Sequence, residues 1–354
     1  MAAADSEFVL HCPVPADPGD RIVLAHGGGG KLSQRLFEHV FHPAFSNPLL
    51  DQRHDGAVLP AAAFQALADL AFSTDSYVVK PLVFPGGNIG DLAVHGTVND
   101  LAMCGARPMY LSCAFILEEG LPVATLRAVV ESMRRAAERA QVLLVTGDTK
   151  VVDYGKADGM FITTAGVGQV CHPVAASRIQ PGDAIVVSGD LGAHGMAILS
   201  VREGLEFESP IVSDTAPLWP CVEALLKAHI DVHCLRDLTR GGLSSALNEL
   251  AQTRGLIFQI EESLIPVTGP VRSACELFGL DPLYVANEGR FVAFLPAAEA
   301  QKAVDALKSL DVSQQATIIG FVSDEPGHSV HLRTATGGLR ILQMLSGEQL
   351  PRIC

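Results

Sequence analysis

Three aspartates recur in one local setting: Asp75 in FSTDSY, Asp100 in TVNDLA and Asp148 in VTGDTK. Each follows an apolar stretch and is flanked by small or polar residues, which holds a carboxylate at the rim of a core, facing a cleft. Mg²⁺ takes a few hard oxygen ligands, keeps waters and is completed by substrate phosphates. Three separated aspartates therefore fit a Mg-nucleotide better than an all-protein metal cage, although solvated loop aspartates explain any one of them alone.

Four further stretches carry reactive or anion-binding types. HGGGGK places Gly28, Gly29 and Gly30 before Lys31, leaving backbone amides free to approach an anion with a cation beside them. It is not a Walker A loop, which needs an earlier glycine where Ala25 stands and Ser or Thr where Leu32 stands; a flexible lid or plain turn is the other reading. In RDLTRGGL, Asp237, Thr239 and Arg240 precede paired glycines that open a helix. That is equally an anion site at a helix N-terminus and an aspartate cap. Glu288 in ANEGR and Lys150 after GDT read, each alone, as solvated side chains, and His194 as a capping or packing histidine. Cys354 stands last, in PRIC, where a thiol is exposed rather than buried.

These residues need elements to carry them. Residues 21–24 read as a short strand before an amphipathic helix bearing Leu32, Leu36, Phe37 and Val40 on one face. LADLAFSTDSYVV, PMYLSCAFILE, QVLLVTGDTKVV and GMFITTAGVGQV read as strands. NIGDLAVHGTVNDLAMCGA reads as a helix closed by Gly105, and residues 122–139 as another with arginines in its last turns. Pro-Gly-Asp at 181–183 marks a break, after which strands and helices alternate through residue 322, with 283–287 among the strands. From 339 no buried element is evident. The organisation expected is mixed α/β (α+β) with two domains, 21–177 and 178–338, flanked by a disordered extension 1–20 and a flexible tail 339–354 carrying Cys354.

Composition narrows the class. The chain has 354 residues, 48% hydrophobic and only 18% charged, with a formal charge of −14. An acidic chain without basic clusters is no nucleic-acid binder. No apolar run approaches the ~20 residues of a membrane span, and the N-terminus lacks signal-peptide features, so a cytoplasmic location is expected. The eight cysteines show no C-x-x-C pair or zinc spacing. A G-x-S-x-G elbow and a Rossmann glycine fingerprint are both absent.

Taken together, HGGGGK, STDSYVV, FPGGNIGDLAVHGTVNDLAMCGA, SCAFILEEGLP, VTGDTKVV, RDLTRGGL, ANEG and PRIC resemble the HypE family of hydrogenase maturation factors. That family lies within the larger one typified by aminoimidazole ribonucleotide synthetase (PurM). One departure is GAHG, with Ala193 where the family's pattern is GDHG. The resemblance implies a two-domain PurM-like fold that dimerises through its N-terminal domains and holds ATP and Mg²⁺ in a cleft. It implies that a carbamoyltransferase, HypF, loads Cys354, that ATP-driven dehydration converts the S-carboxamide to a thiocyanate, and that an iron scaffold formed by HypC and HypD accepts the cyanide. By resemblance Glu288 accepts a proton and Lys150 orients or relays. Asp75, Asp100 and Asp148 hold the metal, and Gly28, Gly29, Gly30, Lys31, Asp91, Asn99, Asp237, Thr239 and Arg240 hold the nucleotide. A small-molecule kinase or synthetase of the same superfamily, and a non-catalytic thiol carrier, are the alternatives. Sixteen tail residues, 339–354, would reach roughly 50 Å fully extended.

Overall fold

A computed structural model describes residues 21–345, less 29–30, 53–56, 58, 61–62, 65–67 and 205–210, and less the side chains of 31 and 52. The expected extension 1–20, Gly29, Gly30, the Lys31 side chain and Cys354 lie outside the described residues.

The first half opens with helices α1 (Lys31–Leu36) and α2 (His42–Phe45), joined by a π-helical turn. Then come β1 (Leu70–Tyr77), the short pair β2 (Val83–Phe84) and β3 (Gly87–Asn88), α3 (Ile89–Met103), β4 (Ala106–Glu118), α4 (Val123–Ala140), β5 (Leu143–Val152) and β6 (Met160–Val170). Four of the strands form a sheet in the order β1-β6-β4-β5, with β4 and β5 parallel and the rest antiparallel. Alternation along β1 decides its two faces. Ala71, Ser73, Asp75 and Tyr77 turn inward, toward α3. Leu70 and Phe72 turn outward, where Phe72 stays 71% exposed. Ile116 of β4 and Leu143 of β5 are also exposed.

Helix α3 is buried on every side except at Asp100. A helix apolar all round belongs inside a core, and this one serves two. Leu92 and Val98 join the first core, while Ala102 and Met103 join a core of the second half. Gly96 permits the close approach to β1, since a Cβ there would collide with the Tyr77 hydroxyl.

The second half comprises β7 (Asp183–Val187), α5 (Ala193–Arg202), α6 (Trp219–Lys227), β8 (Cys234–Asp237), α7 (Gly242–Arg254), β9 (Leu256–Glu261), α8 (Gly269–Phe278), β10 (Phe291–Pro296), α9 (Ala300–Lys308), β11 (Thr317–Pro326), β12 (Val330–Arg333) and β13 (Leu339–Leu342). Its seven strands run β13-β12-β9-β11-β7-β10-β8. Strand β7 is buried throughout because both sheet faces are covered: Ile185 and Val187 pack under α7, Ala184 and Val186 under α6 and α9.

Three expectations are corrected. Residues 21–24 make no strand beyond an Arg21–Pro122 bridge, because the Val23 amide donates to His26 Nδ1 and winds Leu24–Gly27 into a 3-10 turn. Within 283–287 the chain also winds, as Asp281 Oδ1 accepts from the Leu283 amide ahead of a Pro282–Tyr284 turn. Residues 339–342 are not loose. Strand β13 folds back on β12 through a turn at Thr334–Gly338 and buries Leu342 completely.

Candidate active site

Glu288 sits in the loop before β10. Its neighbour Asn287 locks that loop, accepting from the Gly192 amide and donating to the carbonyls of Leu238 and Val285. Glu288 is 3% exposed, yet its Oε1 has no hydrogen-bond partner. Burial pushes its carboxyl well above the usual range, and the carboxylates of Asp214, Asp237, Asp75 and Asp100 push it further. Three secondary-structure elements bring carboxylates to it. Strand β1 brings Asp75, which accepts from the Tyr77 hydroxyl at 3.1 Å. Helix α3 brings Asp100, which accepts from Ser73 at 2.6 Å and is raised by burial first, with Asp75 adding to it. Strand β8 brings Asp237, pushed up to about 7 by burial and then by Asp100. Buried carboxyls that repel one another are a ready receptor for positive charge. Among the described residues no three His, Cys, Asp or Glu side chains converge as an all-protein metal site.

Asp148 and Lys150 stand apart from this group. Both lie on β5, where Lys150 Nζ contacts the two Asp148 oxygens at 2.7 and 2.6 Å, a hydrogen bond that lowers the aspartate's pKa. They border a cavity of about 560 Å³, walled by Phe37, Phe41, Phe45, Cys113 and Phe115 and edged by Gly27 at the start of the glycine run. Strands β1 and β5 are the two edges of the four-stranded sheet, three spacings or roughly 14 Å apart. Ladder pairing sets Asp148 level with Ala114, Thr163 and Ser76, the outward positions, whereas Asp75 pairs with Thr164 on the inward face. One protomer therefore does not bring Asp148 to the same ion as Asp75 and Asp100, nor Lys150 to Glu288. Sequence reading had grouped both sets.

Two proposed nucleotide ligands have structural work instead. Asp91 completes a capping box at the start of α3: its Oδ2 accepts from the Asn88 amide and its Oδ1 from Arg139. Asn99 acts as a clasp between the halves. It donates to the Ala216 and Glu288 carbonyls and accepts from the Leu218 amide. Asp237 ends β8 and does not cap α7, whose N-cap is Gly241 at φ +74°. Thr239 and the exposed Arg240 form the loop between them, and Gly28 donates weakly to the Ala25 carbonyl. His194 is a packing residue, bonded to Ser213 and edge-on to Phe84.

Sequence reading missed Asp214 and Tyr77. Asp214 lies in IVSDTA, the same apolar–small–Asp pattern as FSTDSY and VTGDTK, and that likeness was the available signal. The last described residues, up to 345, are held on α7. The Leu342 and Gln343 carbonyls accept from Asn248 and Ser244 of α7, the helix that follows the Thr239–Gly241 loop. Nine residues, 346–354, remain beyond 345, a reach of roughly 30 Å.

Comparison with known proteins agrees with this arrangement. Models of the AIR synthase related protein family match its N-terminal domain to residues 53–170 and its C-terminal domain to residues 180–333. A carbamoyl dehydratase HypE of Azotobacter vinelandii is 50% identical over 94% of this chain and 97% of its own length. The chain belongs to the HypE family. Two crystal structures of HypE proteins carry the likeness to the fold. One, in complex with ATP, is 47% identical with a TM-score of 0.89, covering 94% of this chain and 99% of that one. The other, a HypE–HypF complex, is 43% identical with a TM-score of 0.76, covering 88% and 99%. The two-domain PurM-like fold expected from the motifs is thus the fold observed, and no helix among the described residues is long and apolar enough to cross a membrane.

Proposed function

We propose that this protein is an ATP-dependent carbamoyl dehydratase acting on a carbamoyl group carried by its own Cys354. The carboxamide oxygen attacks the γ-phosphorus of ATP and ADP leaves. The two N–H protons are removed, and the C–O bond breaks with phosphate as leaving group while the C≡N bond forms. The observation that carries this reading is Glu288: a buried, raised carboxyl with one oxygen unpartnered, pushed up further by the aspartates around it. In its ionised form such a group is a strong base in a dry site, suited to a weakly acidic N–H.

Mg²⁺, held by Asp75 and Asp100 with Asp237 nearby, would neutralise charge on the transferred phosphoryl group. Thr239, Arg240 and the paired glycines, in the loop that joins β8 to α7, would meet phosphate oxygens of the nucleotide. The cavity edged by Gly27 suits the nucleotide, with aromatic walls for a base, and the sequence motif Gly28–Lys31 that follows Gly27 would supply amides and a charge for phosphate.

The open outer face of the first sheet, with Phe72, Ile116 and Leu70 exposed, supports a homodimer. Pairing there would bring Asp148 and Lys150 of one protomer toward the carboxylates of its partner, restoring the roles that a single chain separates. HypF as carbamoyl donor is supported by the HypE–HypF complex of a relative. A HypC–HypD scaffold as cyanide acceptor, and a cytoplasmic setting, complete the reading.

The test is nucleotide turnover before and after carbamoylation. ATP consumption should appear only with the carbamoylated protein and vanish in Cys354→Ser, which should still bind ATP. Product formed by Cys354→Ser would refute the proposal.

A further inference from the structure

Glu288 must meet a small carboxamide, so its placement matters as much as its acidity, and the structure holds its backbone at both polar ends. The Glu288 and Gly289 amides donate to the two oxygens of Asp214, at 3.1 and 3.2 Å. From the other side Asn99 Nδ2 donates to the Glu288 carbonyl at 3.2 Å and to that of Ala216 at 3.0 Å. Residues 211–218 thus form a strap between α3 and the Glu288 loop. His95 of α3 fastens it through Thr215 at 3.0 Å. Gly289 has no side chain for a matching reason: a Cβ there would collide with the Asp214 carbonyl.

Asp214 is an expensive way to hold a turn. Its side chain is 1% exposed, and the Arg290 guanidinium stands 3.9 Å away and is engaged with Asp190. Burying a carboxylate with so distant a partner is unfavourable. Two successive amides aimed at one anion recover part of that cost. What the arrangement secures is a glutamate fixed by its main chain whose Oε1 is left for a ligand.

We propose that Asp214 is the positioning residue of the dehydration step, acting through the Glu288 peptide and not through nucleotide binding. This rests on the carbamoyl dehydratase reading. Its test is single-turnover conversion of the carbamoylated protein, with KM for ATP and thermal stability measured alongside. Asp214→Asn is nearly isosteric but sets an amide N–H₂ against a backbone N–H. Its conversion rate should fall about 10²-fold, the scale of an ångström of misplacement, with KM for ATP within twofold. Asp214→Glu keeps the charge and should recover about tenfold of the loss; it also serves if the asparagine variant does not fold, its own rate then lying about tenfold below wild type. A wild-type rate in either variant, or a matching rise in KM for ATP, would overturn the assignment. Wild-type protein that consumes no ATP after carbamoylation overturns the dehydratase reading instead, so the two failures are distinguishable.

Discussion

Replacing Asp237 by asparagine should stabilise the nucleotide-free protein, increasingly so as pH rises. Burial and the Asp100 carboxylate lift Asp237 from an ordinary 3.8 to about 7. Between those values the folded chain keeps a proton that the unfolded chain releases, so stability falls as pH rises. The penalty is absent below about pH 4 and complete above about 7. At ~1.4 kcal/mol per pH unit its ceiling is about 4 kcal/mol. Asp237 retains some solvent contact, so about half of that is the expected gain. For a chain of this length ~2 kcal/mol moves Tm by about 3 °C. The assay is thermal unfolding of wild type and Asp237→Asn from pH 5 to 8, in chelator without nucleotide. The Tm gap should open with pH and close when Mg-ATP stabilises the wild type. A gap independent of pH, or a variant less stable at pH 8, would refute the electrostatic reasoning.

Two further outcomes test the shared site. Phe72→Asp, on the exposed outer face of β1, should convert a dimer to a monomer by light scattering and cut ATP-dependent conversion at least tenfold. A dimer that survives it does not pair through this face. Lys150→Ala and Glu288→Gln should each be inactive alone, whereas mixed subunits should regain activity, since one of the two sites in a heterodimer then has both residues intact. If mixing restores nothing, Lys150 and Glu288 act within one chain.

Most helices and strands of both halves were legible from hydrophobic pattern and length. Strand β1 alternates, β7 is a continuous apolar run, and α3 has the length and closing glycine of a helix. The hairpin to β13 was hidden because its four residues show no alternation and bury only Leu342. The acidic types at the site were legible for a local reason, a carboxylate between small residues at a strand or helix end. Their grouping was not. Whether Asp75 meets Asp148 depends on strand order and on which face each side chain takes, and β6 and β4 lie between them although both follow β1 in the chain. Asn99 and Asp91 carried the same surface signal as ligands, yet their side chains are satisfied by the segment 216–218 and by Arg139. Such long-range partners leave no mark in local sequence.

The central claim is that Cys354 carries the group being dehydrated while Glu288 takes its proton. The most direct measurement is intact-mass analysis of the C-terminal peptide after carbamoylation, with and without Mg-ATP. Loss of one water from carbamoylated Cys354 in wild type, and its retention in Glu288→Gln, is the predicted result. A peptide that keeps its full carbamoyl mass in wild type with ATP present, or loses water equally well in Glu288→Gln, would contradict it.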